Sequence, residues 1–383
     1  MSSTSKRREG FAMVIAMVAI VVIGALIAGA FFTSTQEYRI GRNSLVAQRA
    51  YSAAEAGVTQ PIQGWIKALN LSVNKGVTRA PDTLKLPGGD IAVRRLTRLD
   101  DYTFWVTSDG YAGGTGGQLA SHARVNTIYR LAIPSFNIEG ALTVKSKVEI
   151  KGSSLVDGTD LVPPDWVAGG VCPAPGPAVA GVAGADTSIV CSGNCPDNGK
   201  ARMFGDPPKL ESTTAGDPNT YIKFGDITWT NLAANADIKL PGGTYDPEPT
   251  PSGACDLKNT SNWGDPARTT QCADYFPIIY VKGDLKVAAN AMGQGILLVE
   301  GSLEMSGGFV FNGIVIAQGD VKSTGNGNKV VGSVFAGNTY DTDSNNVNGN
   351  AEVHYSSCAI DRAQKGSATV VRAKQRGFAQ IVQ

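Results

Sequence analysis

The chain has 383 residues, enough for a sizeable core and two or three structural units. Charged residues make up only 17% of it, against roughly 25% in an average soluble domain, and 46 glycines with two histidines favour turn-rich β structure over a helical bundle or a metabolic enzyme. Lys plus Arg (34) nearly balance Asp plus Glu (33), which excludes a whole-chain field that would steer the protein onto nucleic acid.

The N-terminus is predicted to enter a membrane. Lys6, Arg7 and Arg8 precede an uncharged run over residues 11–32. As a helix this run would be about 33 Å long, enough to cross a bilayer core. The basic leader would stay in the cytoplasm, so most of the chain is expected on the exported side. Ordinary secretion is an alternative, because residues 28–30 (AGA) offer a signal-peptidase site.

A family resemblance starts where the leader meets the apolar run. Gly10 followed by Phe11 resembles the type III signal of type IV pilins, and residues 48–57 (QRAYSAAEAG) resemble the helix signature of the PilX-type pilus-assembly N-terminal domain. The resemblance implies that a prepilin peptidase cuts between Gly10 and Phe11. It also implies that the helix behind the cut, with Glu55 in its signature, serves in assembly.

One position of this helix departs from the pilin pattern. Pilins usually carry Glu at the fifth mature position, where this chain has Ile15. The departure argues against a main fibre subunit and favours a minor or tip-type pilin. The small residues Gly24 and Gly29 would let helices approach closely. A simple membrane anchor is the other interpretation of the same helix.

The region after the helix is predicted to form an antiparallel β head. Residues 91–96, 102–107 and 124–133 are β-rich runs. Turn signals separate them, including Asp109-Gly110 and the glycines of residues 113–117. A helix followed by an antiparallel sheet is the layout of a pilin head.

The six cysteines are predicted to form disulfides. They lie behind an export signal, in or after a segment that Pro, Gly and turn dipeptides make irregular. Their pairing stays open, with Cys255–Cys272 as the first candidate because these two bracket one loop. A zinc site is not expected from their spacing. The six are Cys172, Cys191, Cys195, Cys255, Cys272 and Cys358.

A repeat of 18 residues predicts a solenoid in the C-terminal third. Blocks starting at Ile278, Ile296, Ile314 and Gly332 each end in Gly five residues later. A constant period is the mark of a solenoid, and apolar positions would stack as ladders about 4.8 Å apart. We therefore predict a single-stranded β-helix with 18-residue coils.

These elements together predict an α+β, mostly β, fold. The segments are a prepilin-type leader (1–10), a transmembrane and periplasmic assembly helix (11–70), an antiparallel β head (71–135), a β flank or first coil (136–162), irregular Cys-containing loops (163–277), the β-helix (278–360) and a C-terminal tail (361–383). In the proteins that the chain resembles, a strand like residues 351–359 follows the last coil.

One loop resembles a calcium-binding loop. Asp341, Asp343, Asn345 and Glu352 occupy ligand positions of the calcium pattern. Asn346 replaces the usual Gly, and β-type sequence surrounds the loop in place of helices. A run of Asn, Asp and Gly is also typical of an exposed turn. Calcium is therefore the one cofactor considered, and none is the main expectation.

An enzyme is not expected. Carbohydrate-active β-helices need clustered carboxylates on one face. Here Asp284, Ser302 and Asp320 share a column, so acids are mixed with other types. His122 lies before the repeats and His354 after them. No catalytic residue is assigned, and a β-helical carbohydrate-active enzyme is kept only as a second alternative.

The resemblance implies a structural minor pilin-like subunit that primes, caps or decorates a type IV pilus or related filament, with a role in surface adhesion. Implied partners are other pilins, prepilin peptidase, the inner-membrane assembly machinery and the membrane, with no nucleic acid. The implied location is the bacterial inner membrane with the bulk exported, then the pilus or cell surface. The first alternative is a membrane-anchored β-helical surface protein outside any filament.

Overall fold

The chain divides into two compact units. The computed structural model describes residues 9–63, 73–113, 121–151, 153–167, 170–185, 189–192, 202–288, 290–337, 345–347, 350–372 and 378–381. Unit 1 contains residues 1–131 and 370–383, and unit 2 contains residues 132–369. Unit 2 is therefore an insertion, because the chain leaves unit 1, builds unit 2 and returns to unit 1 for its last residues.

The elements are named here in chain order. The described helices are α1 (Glu9–Gln63), α2 (Pro164–Val167), α3 (Thr213–Gly216), α4 (Trp229–Ala234) and α5 (Ser357–Gly366), with a 3₁₀ turn at Pro218–Tyr221. The described strands are β1 (Asp82–Lys85), β2 (Ile91–Arg98), β3 (Thr103–Ala112), β4 (Ser121–Ala132), β5 (Gly140–Val144), β6 (Val148–Lys151), β7 (Leu155–Asp157), β8 (Ala180–Gly184), β9 (Ile189–Ser192), β10 (Met203–Phe204), β11 (Lys209–Glu211), β12 (Lys223–Phe224), β13 (Ile227–Thr228), β14 (Ile238–Tyr245), β15 (Ile278–Val287), β16 (Met292–Val299), β17 (Leu303–Ser306), β18 (Val310–Ala317), β19 (Val321–Thr324), β20 (Asn326–Ala336), β21 (Asn345–Val347), β22 (Asn350–Tyr355), β23 (Thr369–Arg372) and β24 (Phe378–Ile381).

Helix α1 has two different halves. Its first half is the predicted apolar run, and the span Phe11–Gln60 is long and apolar enough to cross a membrane, a test that an N-terminal signal sequence also passes. Its second half buries small side chains at helical spacing, namely Ala50, Ala53, Ala54 and Val58. One continuous helix thus changes from an exposed apolar rod to a packed element within unit 1.

The sheet of unit 1 confirms the predicted antiparallel head. Its strands run in the order β1-β2-β3-β4, all antiparallel, and β24 pairs antiparallel with β4. The C-terminal residues were expected to be a tail, but β23 and β24 both join this sheet. The turn predicted at Asp109-Gly110 is wrong, because both residues lie inside β3.

Unit 2 is dominated by a 16-stranded assembly in which every described strand pair is parallel. We call it the parallel stack. Three series of strands run through it: β14-β15-β16-β18-β20-β5-β8, then β15-β17-β19-β21-β6-β9, and β16-β18-β20-β22-β7-β10. Strand β15 belongs to the first and second series, and β16, β18 and β20 belong to the first and third. These four strands therefore connect the first series to the other two.

The register reproduces the predicted repeat for its first two steps. Ile278 pairs with Ile296, and Ile296 pairs with Ile314. The third step is wrong by one residue, because Ile314 pairs with Ser333 and not with Gly332. The extra residue is taken up between Thr324 and Lys329, at the start of β20. There the Asn328 side chain donates to two carbonyls and to Ser323 and accepts from the amide of Phe309 (3.1 Å).

The order of strands in the stack differs from the order in the chain. Residues 136–162 were expected as a flank or first coil, yet β5 pairs with β20, and Leu142 lies opposite Val334. The other end is β14, which pairs only with β15 among the described strands. Residues 163–277, expected to be irregular, contain β8–β14 and three short helices. Sequences such as AGVAG (180–184) were missed because their buried residues are small.

Both faces of the first series are buried. Alternate residues such as Ile279 and Leu297 face one apolar cluster, while Ile278 and Ile296 face a second. Leu232 of α4 and Ile360 of α5 pack in this second cluster. The strand expected over residues 351–359 ends at Tyr355, because the Ser356 side chain accepts from the Ala359 amide (3.3 Å) and caps α5.

Candidate functional site

The residues assigned to processing and assembly lie on the exposed half of α1. Phe11 and Ile15 are exposed, and a Cβ at Gly24 or Gly29 would meet nothing within 4 Å. Gly10 is helical, but its surroundings lie outside the described residues. The described part of the chain therefore leaves a continuous apolar surface that suits a bilayer or the helices of other molecules.

The packed half of α1 shows why its signature is rich in small residues. A Cβ on Gly57 would overlap Ser108 and Ala92, and a Cβ on Gly110 would overlap the backbone of α1 at Ala50 and Ala54. Helix and sheet are thus in backbone contact. Glu55 lies on the exposed side of the helix and takes no part in this packing.

Polar side chains fix the helix against the sheet at its edges. Arg49 binds Asp90 through two nitrogens, with Nε–Oδ2 at 3.0 Å and Nη2–Oδ1 at 2.7 Å. The buried hydroxyl of Tyr129 donates to the carbonyl of Val58. Bidentate pairing and a buried hydroxyl bond both fix orientation as well as distance. The second half of α1 is therefore held in one rotation relative to the sheet.

A buried carboxylate organises the opposite face of the sheet. Asp109 is 2% exposed at its side chain and accepts from Arg95 (2.6 Å), Arg124 (2.6 Å) and His122 (3.0 Å). Burial would raise the pKa of Asp109, but the hydrogen bonds from Arg124, His122 and Arg95 outweigh it and lower the pKa below its usual value. The same contact raises the pKa of Arg124. The Asp109 carboxylate on β3 therefore links β2, through Arg95, to β4, through Arg124 and His122.

Next to this charge cluster lies an exposed apolar pair. Trp105 and Ile128 are directly opposite on β3 and β4 and are 44% and 36% exposed. They share their face with Arg95, Arg124 and Arg130, by the alternation along the strands. We call these five residues the outer patch. Helix α1 lies on the other face, so the outer patch is not part of the helix packing.

Two disulfides are present among the described cysteines. Cys255 joins Cys272, as predicted, across a separation of 17 residues. Cys172 joins Cys358 across 186 residues and links the segment after α2 to α5. The side chains of Cys191 and Cys195 lie outside the described residues. The predicted use of cysteines as disulfides is confirmed for these four.

The calcium prediction falls mainly outside the described residues. Asp341, Asp343 and the side chain of Asn345 are not described. Glu352 is described, and its carboxylate contacts His354 (3.1 Å) and Lys329 (3.3 Å). Among the described residues, no group of three or more His, Cys, Asp or Glu could hold a metal ion. The calcium site stays a prediction.

The polar residues of the predicted coils have structural partners. Asp284 Oδ1 accepts from the amide of Ser302 (2.8 Å), and Ser302 Oγ accepts from the amide of Asp320 (3.2 Å). Each of these two side chains therefore accepts a hydrogen bond from the backbone amide of the residue 18 positions later. Tyr280 donates to Glu300 (2.9 Å) and has its ring against Trp229, so its polar group also has a structural partner.

Comparison with known proteins assigns neither a family nor a function to this chain. No protein-family model matches the chain, and no curated protein matches it. Among solved structures, the chain is similar to the competence-associated pilin ComZ from Thermus thermophilus, at 14% identity over 88% of this chain and 98% of that chain. The TM-score is 0.25, which is too low to carry a fold or a role from one protein to the other.

Sequence reasoning missed the cluster around Asp109 and the outer patch. Asp109 was taken as part of a turn, since Asp-Gly is a common turn pair. The signal that could have found it is the alternation of Arg95, Trp105, Asp109 and Arg124, which places all four on one face of a paired sheet. That signal needs the strand register, which the sequence alone does not determine.

Proposed function

We propose that the chain is a minor pilin-type structural subunit, anchored in the bacterial inner membrane before it joins a type IV pilus or related filament. The observation that carries the proposal is the single helix Glu9–Gln63, exposed and apolar at its start and packed on an antiparallel sheet at its end. Such a helix suits storage in a bilayer and then bundling with other helices.

Two sequence features support the pilin form of this proposal over a plain anchor. The Gly10-Phe11 junction stands at the start of the apolar run. Ala50, Ala54 and Gly57, within the stretch that resembles the PilX-type signature, contact the sheet. Ile15 in place of Glu favours a minor subunit that primes, caps or decorates the filament. Other pilins, the assembly machinery and prepilin peptidase are its proposed partners, and surface adhesion is its proposed use.

We also propose that the parallel stack is a β-helix that acts as a display domain and not as an enzyme. The two 18-residue steps and the three strand series support a coiled path. In the column of Asp284, Ser302 and Asp320, the side chains of Asp284 and Ser302 accept from backbone amides, which supports a structural role. Lys286 and Glu304 lie opposite each other on β15 and β17, and their side chains are 49% and 42% exposed. Cysteines placed at these two positions should crosslink within one chain. Crosslinks only between chains would contradict the coiled path.

The test of the filament role is the mature N-terminus, measured by mass spectrometry on native membranes and sheared filaments. We expect a peptide that begins with methylated Phe11, and its loss in Gly10→Val. Ser5→Val is the matched control, because it changes the leader and leaves the junction intact. A start at Phe31 would mean ordinary secretion, and an uncleaved chain would favour the membrane-anchored alternative.

A further inference from the structure

The two units carry opposite net charges. Unit 1 contains 18 Lys or Arg and 8 Asp or Glu, a formal charge of +10, and +8 without residues 1–10. Unit 2 contains 16 Lys or Arg and 25 Asp or Glu, a formal charge of −9. The near-zero charge of the whole chain therefore conceals two charged parts. Charges of this size steer association between molecules.

The outer patch combines positive charge with an apolar centre. Arg95 and Arg124 are 43% and 34% exposed at their side chains, and both bind the one carboxylate of Asp109. Two guanidinium groups remain charged at every physiological pH, so this group keeps one net positive charge and a fixed orientation. Trp and Arg are the side chains most often found where protein interfaces gain their affinity.

The location of the outer patch limits what can reach it. Helix α1 packs on the other face of the sheet through Ala50 and Ala54. The outer patch therefore points sideways from the helix and not along its axis toward a bilayer. Its partner should lie beside the subunit, as a neighbouring protein molecule does.

We propose that the outer patch binds the acidic unit 2 of a second copy of this chain. Charge complementarity selects this occupant, because unit 2 carries a charge of −9 and is present in the same number as the basic unit 1. The contact joins two different surfaces, so it is heterologous and repeats from one copy to the next. Trp105 and Ile128 form its apolar centre, and the arginines form its charged rim.

The first experiment identifies the occupant directly. A photo-crosslinking amino acid replaces Ile128 in the full chain, held in phosphatidylcholine nanodiscs, and equal amounts of ¹⁴N- and ¹⁵N-labelled protein are mixed before irradiation. We expect mixed-isotope crosslinked peptides that join position 128 to residues 132–369. Crosslinks to lipid, crosslinks to residues of unit 1, single-isotope crosslinks alone, or no crosslinks would each overturn the proposal.

The second experiment measures the strength of the contact. Self-association of the full chain in the same nanodiscs is followed by sedimentation velocity at two salt concentrations. We expect the dissociation constant to rise about tenfold between 50 and 500 mM salt, because screening shortens the reach of exposed charges. Trp105→Ala and Arg130→Glu should each weaken association at least about tenfold.

Arg42→Glu is the matched control, because it changes the charge of unit 1 equally on an exposed position of α1. Equal losses in Arg42→Glu and Arg130→Glu would show a general charge effect and would overturn the assignment to the outer patch. Self-association that does not respond to Trp105→Ala would do the same. The contact is measured without filaments or peptidase, so its failure leaves the filament proposal intact, and the N-terminal measurement can fail without affecting it.

Discussion

Glycine does different things in the two units. In unit 1, Gly57 and Gly110 let a helix lie directly on a sheet, a contact made once. In unit 2, Gly295, Gly313 and Gly332 form a column in which each has positive φ. A Cβ on each would overlap the backbone at Pro277, Gly295 and Gly313, respectively. Unit 1 thus needs a close helix–sheet contact at one place, whereas unit 2 needs a residue without a Cβ at each of three successive strands.

The sharpest way to break unit 2 is Gly313→Ala. Its φ of +139° disfavours a side chain, and the added Cβ would overlap the carbonyl of Gly295. We expect a loss of about 4 kcal/mol or more in the free energy of opening of unit 2, since strain and overpacking add. Hydrogen exchange with mass spectrometry measures each unit separately.

Gly253→Ala is the control for Gly313→Ala. Gly253 also has positive φ (+80°), but a Cβ there would meet nothing within 4 Å. It should therefore show the cost of strain alone, about 1 kcal/mol. Equal effects of the two substitutions would contradict the role given to the glycine column.

Removal of a disulfide separates long-range from local constraint in unit 2. The double substitution Cys172→Ser with Cys358→Ser removes a link across 186 residues, and Cys255→Ser with Cys272→Ser removes one across 17. On the chain-entropy argument we expect losses of about 5 and about 3 kcal/mol. Denaturant unfolding compares them, and a larger loss for the short link would show that native contacts outweigh loop entropy.

In unit 1, Gly110→Ala should force α1 away from the sheet. The added Cβ would overlap the backbone at Ala50 and Ala54, so we expect a loss of about 2–3 kcal/mol. Gly41→Ala is the control, because Gly41 is helical with nothing within 4 Å and should gain about 0.5–1 kcal/mol. Hydrogen exchange of β3 measures the difference, and an unaffected β3 would contradict the backbone contact.

The smallest expected effect concerns Asp109. Its pKa is lowered in the folded state, so its contribution to stability is present above the unfolded pKa, about 3.9, and is lost as the pH falls through the folded value. Asp109→Asn should cost unit 1 about 1–2 kcal/mol at pH 7 and remove this acid-side dependence. Asp101→Asn is the control, because the Asp101 side chain is 49% exposed in its ion pair with Lys75; it should cost about 0.5 kcal/mol.

These values are read from denaturant unfolding at pH 7 and below pH 4. Equal costs for Asp109→Asn and Asp101→Asn would mean that Asp109 acts as an ordinary surface charge. A cost for Asp109→Asn that persists unchanged at the lower pH would contradict the lowered pKa.

Local sequence patterns predicted many of the helices and strands, but they did not predict which distant strands pair with each other. The uncharged run of α1 and the strands β2, β3 and β4 follow from composition and alternation. The partner of β5 does not, because Leu142 meets Val334 across 192 positions and no local pattern records that pairing. The extra residue at the start of β20 was missed for a similar reason, since the side chain of Asn328 satisfies backbone groups that only the folded chain brings together.

The outer patch shows the same limit for the candidate site. Whole-chain charge is a sum, and a sum of +1 gave no sign that unit 1 and unit 2 differ by 19 charges. The division into units depends on long-range contacts, such as the pairing of β24 with β4, that the sequence does not show. Charge per unit is then the quantity that matters for binding.

The return of the chain to unit 1 also sets an order in time. Synthesis delivers α1 and β1–β4 before unit 2, and unit 2 before β24. Strand β4 has to wait for the whole of unit 2 before β24 pairs with it. A chain that stops before β23 therefore leaves that edge of β4 unpaired, so a complete sheet in unit 1 reports that unit 2 has already been made.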